Sequence, residues 1–519
     1  MNEENLKLAA KIIDANYVDL ASQSLTSREN MIKNLLAQRS VPEEGWDDLT
    51  IEYLMNNLAL MDTNNFHKKS GIGERESRIY SSIVSKRNFY MGHGIGRSGD
   101  IKAIQPKASG SSLIAKLAHE LTFDMLKIAG YQFVEDLIVL PLATGMAITT
   151  VFLTLKEKKP DAKYVVWCRI DQKTCLKCIK SANLEPLAID GIVSGDEITT
   201  NLEMIEETIK KYTPEKILAV LSTTSCFGPR VPDKVEEISK ICSKYNVAHV
   251  INNAYGVQCS KIAFAINQSI KHGRVDAVVQ STDKNFMVPV GGSIIYSPNN
   301  AMIKGISELY PGRASAAPLV DLFITYLSMG KKGYAALLKE RKENLVYFKQ
   351  KLSDLAKEHN ESVLNTPNNT ISIVLTLKHV REYMLDEEIK KESKLKKDTF
   401  LGSLLYSKRV MGSRVISVSK EKEVCGLKFK NYGSHIDEYA NLPYMTAACA
   451  IGLKKEEIDW FIARLDEALK ELKKMYLKQT ANKLKPTEEL SMKVENAGQD
   501  AKDNKPEEQK KDDNLPSDK

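Results

Sequence analysis

No stretch of the 519-residue chain approaches the run of about eighteen apolar residues that a membrane span requires. The opening residues Met1 to Ala10 lack the basic-then-apolar pattern of a secretory leader, so a cytoplasmic location without membrane attachment is expected. Cysteine is scarce: the 8 residues, at irregular spacings, read as reduced thiols rather than a disulfide framework. The one CxxC, Cys175 to Cys178, has no second ligand pair of similar spacing, so no metal is expected. Aromatics make up only 7% of the chain, yet a 43% hydrophobic content at this length supports a large core and two or three domains.

Charge is unevenly placed. Residues 481–519 hold 8 Lys against 10 Asp plus Glu, a net −2, which leaves +9 on the rest of a chain whose total is +7. A basic body is compatible with a nucleic-acid partner without demanding one, because lysine-rich surface usually serves solubility.

Four segments are expected. Residues 1–44 space apolar residues helically, as in Leu6, Ala9, Ala10 and Ile13, which fits an oligomerisation extension as well as an ordinary packed helix. Residues 45–320 form a large domain. From Val134 to Pro298 it shows short apolar runs (Leu137 to Leu142, Tyr164 to Trp167, Ile217 to Leu221, His249 to Ile251, Ala277 to Val279, Ser293 to Tyr296) alternating with helical stretches such as Val235 to Tyr245. That alternation predicts βαβ units and a mostly parallel sheet, with ligands at the strands' carboxyl ends. Residues 321–479 make a smaller α/β domain: helical from Leu319 to about Lys357, strand-like over Thr370 to Leu377, helical again from Lys455 to about Lys478. Asp386 to Lys397 reads as a solvated charged insertion, and residues 480–519 as a disordered charged tail.

Gly94-Ile-Gly-Arg-Ser-Gly99 matches the dinucleotide fingerprint, but that pattern carries meaning only between a strand and a helix. Here it follows the polar Ser85 to Met91 and leads to Asp100 and Pro106, where no amphipathic helix is evident. Its glycines instead suit close backbone approach to an anion, with Arg97, Ser98 and Gln105 as donors. Lys284, in Gln280-Ser-Thr-Asp-Lys284 after the apolar run Ala277 to Val279, sits where desolvation favours a Schiff-base amine, although strand-end lysines are more often solvated. Upstream, Pro141-Leu-Ala-Thr-Gly-Met146 offers small residues at a helix start, where a phosphate is favoured. Asn252, in Val250-Ile-Asn252-Asn-Ala-Tyr-Gly256, adds a polar strand end. A phosphate seat, a polar residue for a ring nitrogen and a downstream lysine, in that order, form the pyridoxal-phosphate constellation of the aspartate-aminotransferase fold, fold type I.

With those motifs in place, the chain closely resembles the archaeal and eukaryotic O-phosphoseryl-tRNA:selenocysteine synthase family. The matching stretches run from Gly71-Ile-Gly-Glu-Arg75-Glu through HGIGRSGDI, PLATGM, RIDQK, STTSCFGPRVPD, NNAYGVQ and DKNFMVPVGG to YPGRAS, spanning nearly all of residues 45–320. The resemblance implies conversion of phosphoserine-charged selenocysteine tRNA to selenocysteinyl-tRNA, with selenophosphate as co-substrate, pyridoxal 5'-phosphate as cofactor and a homotetrameric assembly. It places the cofactor on Lys284, with Ala143, Thr144 and Gly145 near its phosphate, Gln172 near its ring and Arg75 also at that site. Asn252 stands where this fold usually has an aspartate against the pyridine nitrogen. Arg97, Ser98, Gln105, Lys173 and Arg313 would hold the substrate phosphate. Glu74 would repel the free carboxylate of phosphoserine while accepting the neutral ester. Lys271, Lys408 and Lys473 would meet the tRNA; the first two stand where arginine is expected, and lysine keeps phosphate attraction without the planar fork. Two other readings stay open on sequence grounds: a pyridoxal-phosphate lyase or decarboxylase acting on a free amino acid, and a tRNA-binding protein with an inactive core.

Overall fold

The expected apolar runs assemble into a single seven-stranded sheet. In the computed structural model, which describes residues 1–380, 400–416, 421–439 and 441–483, its strands are β1 (Asp136–Leu140), β2 (Tyr164–Cys168), β3 (Glu185–Ile189), β6 (Ile217–Thr223), β7 (Ala248–Asn252), β8 (Ala277–Ser281) and β9 (Ser293–Ser297). A hairpin of β4 (Ile192–Ser194) and β5 (Glu197–Thr199) lies beside it. The order is β1-β9-β8-β7-β6-β2-β3, with β9 antiparallel to both neighbours and the remaining pairs parallel. Strands β6 to β9 are buried at every position, which is why they read as unbroken apolar runs. β3 was not legible in the sequence: it is an edge strand, carries Pro186 and keeps Glu185 and Ala188 in solvent.

Because the parallel strands share one direction, Leu140, Cys168, Thr223, Asn252 and Ser281 all end at one rim. The helix Val235–Tyr245 has the bounds expected for it. The helix Ser109–Ile128 is a correction, since no helix was expected soon after Pro106. Its onset is disguised by Ala108 and Gly110: the N-cap has no side-chain bond, and a Cβ at Gly110 would lie 1.8 Å from the Leu58 carbonyl oxygen. Helix and backbone touch there, so only glycine fits. The segment before Gly94 is the short helix Ser82–Arg87 followed by turns, so the dinucleotide reading fails for want of a strand.

The helix Ala317–Glu358 joins the two domains and is interrupted at Gly330, whose φ is 63°. Its buried residues from Leu319 to Tyr334 belong to the large core and those from Phe348 to Ala356 to the small one. The expected boundary near residue 320 therefore falls inside a helix. The small domain carries β10 (Ser372–Thr376), β11 (Arg414–Ile416) and β14 (Tyr444–Ala448) in the order β10-β14-β11, a hairpin of β12 (Lys422–Val424) and β13 (Leu427–Phe429), and the helices Phe400–Ser407 and Lys455–Lys483. The charged run 386–397 and residues 484–519 lie outside the described residues.

At the N-terminus the helices Glu3–Ala9, Ala15–Gln38 and Asp48–Leu60 form, although the helical spacing read from Leu6 to Ile13 is interrupted after Ala9. Ala15–Gln38 buries only Val18 and Leu35, and Ile12, Ile13, Tyr17 and Leu20 stay exposed. Among the described residues no helix is long and apolar enough to cross a membrane.

A buried polar network joins the domains. Arg169 bonds Asp171 at 2.9 Å, Asp190 at 2.8 Å and the Asn431 side chain at 2.9 Å, while Asp171 accepts the Gly433 and His435 backbone N–H groups. Burial opposes the charge on Asp171, but His435, Arg169 and these N–H donors hold its carboxyl below the usual carboxylate range. Asp171→Ala leaves the buried guanidinium with only the solvent-exposed Asp190 carboxylate and unpairs the Gly433 and His435 N–H groups, with an expected loss of about 3 kcal/mol. Urea unfolding checks this, and a change under 1 kcal/mol contradicts it.

Candidate active site

The rim of the sheet opens into a cavity of about 220 Å³ that gathers Ala143, Thr144, Gly145, Gln172, Asn252 and Lys284. Ala143 is the N-cap of the helix Thr144–Lys158 and makes no side-chain cap bond, so the first-turn N–H groups remain free for an anion. Gly145 lets this helix approach its neighbour: a Cβ there would stand 2.3 Å from Thr174 Cγ2. Gln172 caps the helix Lys173–Ser181 through its Oε1 and the Thr174 N–H, which fixes the side chain at the cavity wall.

Lys284 lies in the five-residue helix Thr282–Phe286 directly after β8. Its Nζ is 3.0 Å from Ser281 Oγ and 3.3 Å from Asp283 Oδ2, and Ser281 Oγ is 2.7 Å from Thr144 Oγ1. The amine is thus tied by hydroxyls to the phosphate seat. Its side chain keeps 47% of its exposure, more than a strand-end position implied, because the short helix carries it to the mouth of the cavity. Asn252 ends β7 on the wall and is buried.

The residues expected to hold the substrate phosphate separate into two groups. Gly96, at φ 72°, allows a tight turn in which the Arg97 N–H bonds the Asp100 carbonyl at 2.9 Å. Arg97 and Ser98 are exposed at its tip, while Gln105 is buried with its Nε2 3.5 Å from the Gly96 carbonyl. The Ile95–Ala314 bridge brings Arg313 alongside, where its guanidinium donates to the His93 carbonyl. None of these four lines the cavity within one chain. Lys173 does lie close to it, exposed at the first turn of the Gln172-capped helix.

Glu74 and Arg75 are exposed on the preceding loop, and Arg75 likewise does not line the cavity. Arg75 is near Arg313: burial, then the positive charge of Arg75, lower the Arg313 pKa. The engaged carboxylate of this loop is Glu76, paired with Lys107 at 2.5 Å. Of the lysines expected to meet tRNA, Lys408 is 2.8 Å from Glu471 on the C-terminal helix that also carries Lys473, whereas Lys271 is exposed at the end of the helix Ser260–His272 of the large domain.

Sequence reasoning missed Cys175, Ser225, Phe227, Tyr255, Ser281 and Asp283, all of which line the cavity. Ser281 and Asp283 flank the lysine and were legible from its motif. Cys175 carries no signal in the sequence beyond its place in the CxxC; among the described residues no group of three potential metal ligands exists, and every cysteine is free.

A mostly parallel sheet with one reversed strand, whose rim presents an uncapped helix, a strand-end amide and a lysine, defines the fold class of the pyridoxal-phosphate enzymes of fold type I. A NifS-like protein has the same fold, with a TM-score of 0.51 at 16% identity over 79% of this chain and 98% of that chain. The family model for O-phosphoseryl-tRNA(Sec) selenium transferase matches residues 61–470. A protein of that name from Dictyostelium discoideum is 51% identical over 475 residues, covering 90% of this chain and 99% of the relative. Another from Methanocaldococcus jannaschii is 36% identical, covering 86% and 96%. The crystal structure of an archaeal O-phosphoseryl-tRNA(Sec) selenium transferase superposes with a TM-score of 0.77 at 31% identity, covering 88% of this chain and 98% of that one. The chain belongs to the O-phosphoseryl-tRNA(Sec) selenium transferase family.

Proposed function

We propose that this chain converts O-phosphoseryl-tRNA(Sec) to selenocysteinyl-tRNA(Sec), using pyridoxal 5'-phosphate held by Lys284 and selenium from selenophosphate. The observation that carries the reading is the convergence of Lys284, Ser281, Thr144, Gly145 and Asn252 on one cavity. Free N–H groups at the helix start fit a phosphate, and the nearby amine fits an aldehyde, so the donor set suits pyridoxal phosphate. When bound, that group supplies the electron sink that acidifies the Cα–H of the esterified phosphoserine.

The chain's own residues do the rest. Ser281 and Asp283 hold the Lys284 amine at the cavity mouth, placed to take a proton from Cα once the amine is free. Arg97, Ser98, Gln105 and Arg313 supply the cationic and polar contacts for the phosphate that leaves. Since these four stand apart from the cavity of their own chain, a second copy is needed to bring them to it, in keeping with a homotetramer. The exposed apolar face of the helix Ala15–Gln38 offers a further contact between copies. Lys173 reaches the same phosphate from the cavity side, Gln172 of the same chain and Arg75, which like those four comes from the second copy, complete the cofactor's surroundings, and Lys271, Lys408 and Lys473 meet the tRNA backbone.

Purified protein tests the reading through selenophosphate-dependent conversion of phosphoseryl-tRNA, followed on the esterified amino acid; absence of any selenocysteinyl product rejects it. Glu74→Gln is expected to raise activity on free O-phosphoserine about tenfold relative to the tRNA ester, because it removes a like charge facing the free carboxylate. Competition between the two substrates measures the ratio, and an unchanged ratio removes Glu74 from substrate selection.

A further inference from the structure

Asn252 and Cys175 meet at the cavity wall. The Asn252 Nδ2 donates to Cys175 Sγ at 3.3 Å, and its Oδ1 accepts the Ala254 backbone N–H at 3.3 Å. A carboxamide's two ends are told apart by their partners, and a backbone N–H is a donor in every state, so the oxygen must face Ala254. The nitrogen then faces Cys175, on the first turn of the helix Lys173–Ser181. Burial pushes the Cys175 thiol up to about 11, so near neutral pH it is an uncharged SH able to accept a bond from the amide. One N–H of Asn252 is thereby used, and the other has no protein partner among the described residues. Both side chains line the cavity that holds Lys284.

We propose that Cys175 is a positioning residue for Asn252: together with the Ala254 N–H it locks the carboxamide with N–H, not C=O, toward the pyridine nitrogen of bound pyridoxal phosphate, which is therefore kept unprotonated. The inference rests on the cofactor reading above. An aspartate at this position accepts a bond from a protonated ring nitrogen. A freely turning carboxamide serves either protonation state, since it offers a carbonyl in one orientation and an N–H in the other. With the oxygen committed to Ala254 and a sulfur waiting for the nitrogen, only the donating orientation remains. The result is a damped electron sink, which suits loss of a good leaving group such as phosphate and disfavours the fuller carbanion stabilisation that transamination needs. This also gives a role to a buried cysteine in the Cys175 to Cys178 motif.

The test uses full-length holoenzyme reconstituted with pyridoxal phosphate labelled with ¹⁵N in the ring. The expected ¹⁵N resonance of the native protein is that of an unprotonated pyridine. Asn252→Asp is expected to move it to the protonated position. Cys175→Ala is expected to displace the resonance toward partial protonation and to raise the Kd of pyridoxal phosphate about threefold to tenfold, the effect of losing one buried hydrogen bond. Cys175→Ser, which restores an acceptor, is expected to recover most of both. A protonated ring nitrogen in the native protein overturns the proposal. So does a Cys175→Ala protein whose resonance and Kd both equal those of the native chain. Should Cys175→Ala fail to fold, Cys175→Val, which fills the space without an acceptor, takes its place under the same criteria. Absence of any bound cofactor signal in the native protein rejects the cofactor reading itself, a different outcome from bound cofactor with the wrong protonation.

Discussion

Lys284→Ala is expected to abolish selenocysteinyl-tRNA formation and to remove the visible absorbance of bound cofactor in the same protein. Proton transfer by a placed side chain contributes about 10²–10⁴-fold to a rate, and the variant forfeits covalent retention of the cofactor as well. The loss should therefore reach at least the upper end of that range. Its neighbours sharpen the expectation: the amine is held by Ser281 Oγ at 3.0 Å and Asp283 Oδ2 at 3.3 Å, and neither group can replace a primary amine. Purified variant and native protein compared in the selenophosphate-dependent assay, with an absorbance spectrum of each, make the measurement. A variant that keeps both full turnover and the cofactor band sinks the assignment.

The second large effect concerns acid. Burial holds the imidazoles of His119, His249 and His435 at about 4, against an ordinary value of 6.5. Nearby carboxylates oppose burial at each site, Asp136 at His119, Asp276 at His249 and Asp171 at His435, yet burial prevails. As pH drops below 6.5 the unfolded chain takes up protons that the folded chain refuses, so stability declines until about pH 4, below which both forms are protonated at these sites. At about 1.4 kcal/mol per pH unit, each histidine costs about 2 kcal/mol by pH 5. Three such losses are comparable with the whole margin of about 5–15 kcal/mol that keeps a folded protein folded. Denaturant midpoints at pH 7 and pH 5 check this, with a fall expected at the lower value. Equal midpoints contradict it, and a His249→Phe protein should show a shallower decline than the native chain.

What the sequence disclosed follows from what each element needs. Strands buried on both faces demand continuous apolar side chains, and so β6 to β9 were evident, as was the helix Val235–Tyr245 with its apolar stripe. Edge strand β3, with a proline and exposed positions, left no such signature. The helix at Ser109 was hidden because its start is dictated by packing against the Leu58 carbonyl rather than by a capping side chain. In the cavity, Ala143, Thr144, Gly145, Asn252 and Lys284 sit within motifs that can be recognised locally, while Gln172 came from family resemblance. Phe227, Tyr255 and Ser225 reach the same place from loops whose path is set only by the tertiary fold, and Cys175 is given meaning by a partner 77 positions away.

The helix Ala317–Glu358 anchors one end in each core. Beyond Gly330 it runs without a break to Glu358, a rigid strut of about 40 Å at 1.5 Å per residue. A strut seated in two close-packed cores transmits displacement instead of absorbing it. On the proposed reading, in which Lys408 and Lys473 meet the tRNA, this strut sets the spacing between that contact and the cavity of Lys284, much as a ruler fixed at both ends does, and an acceptor stem of the wrong length is expected to present its amino acid short of, or past, the amine.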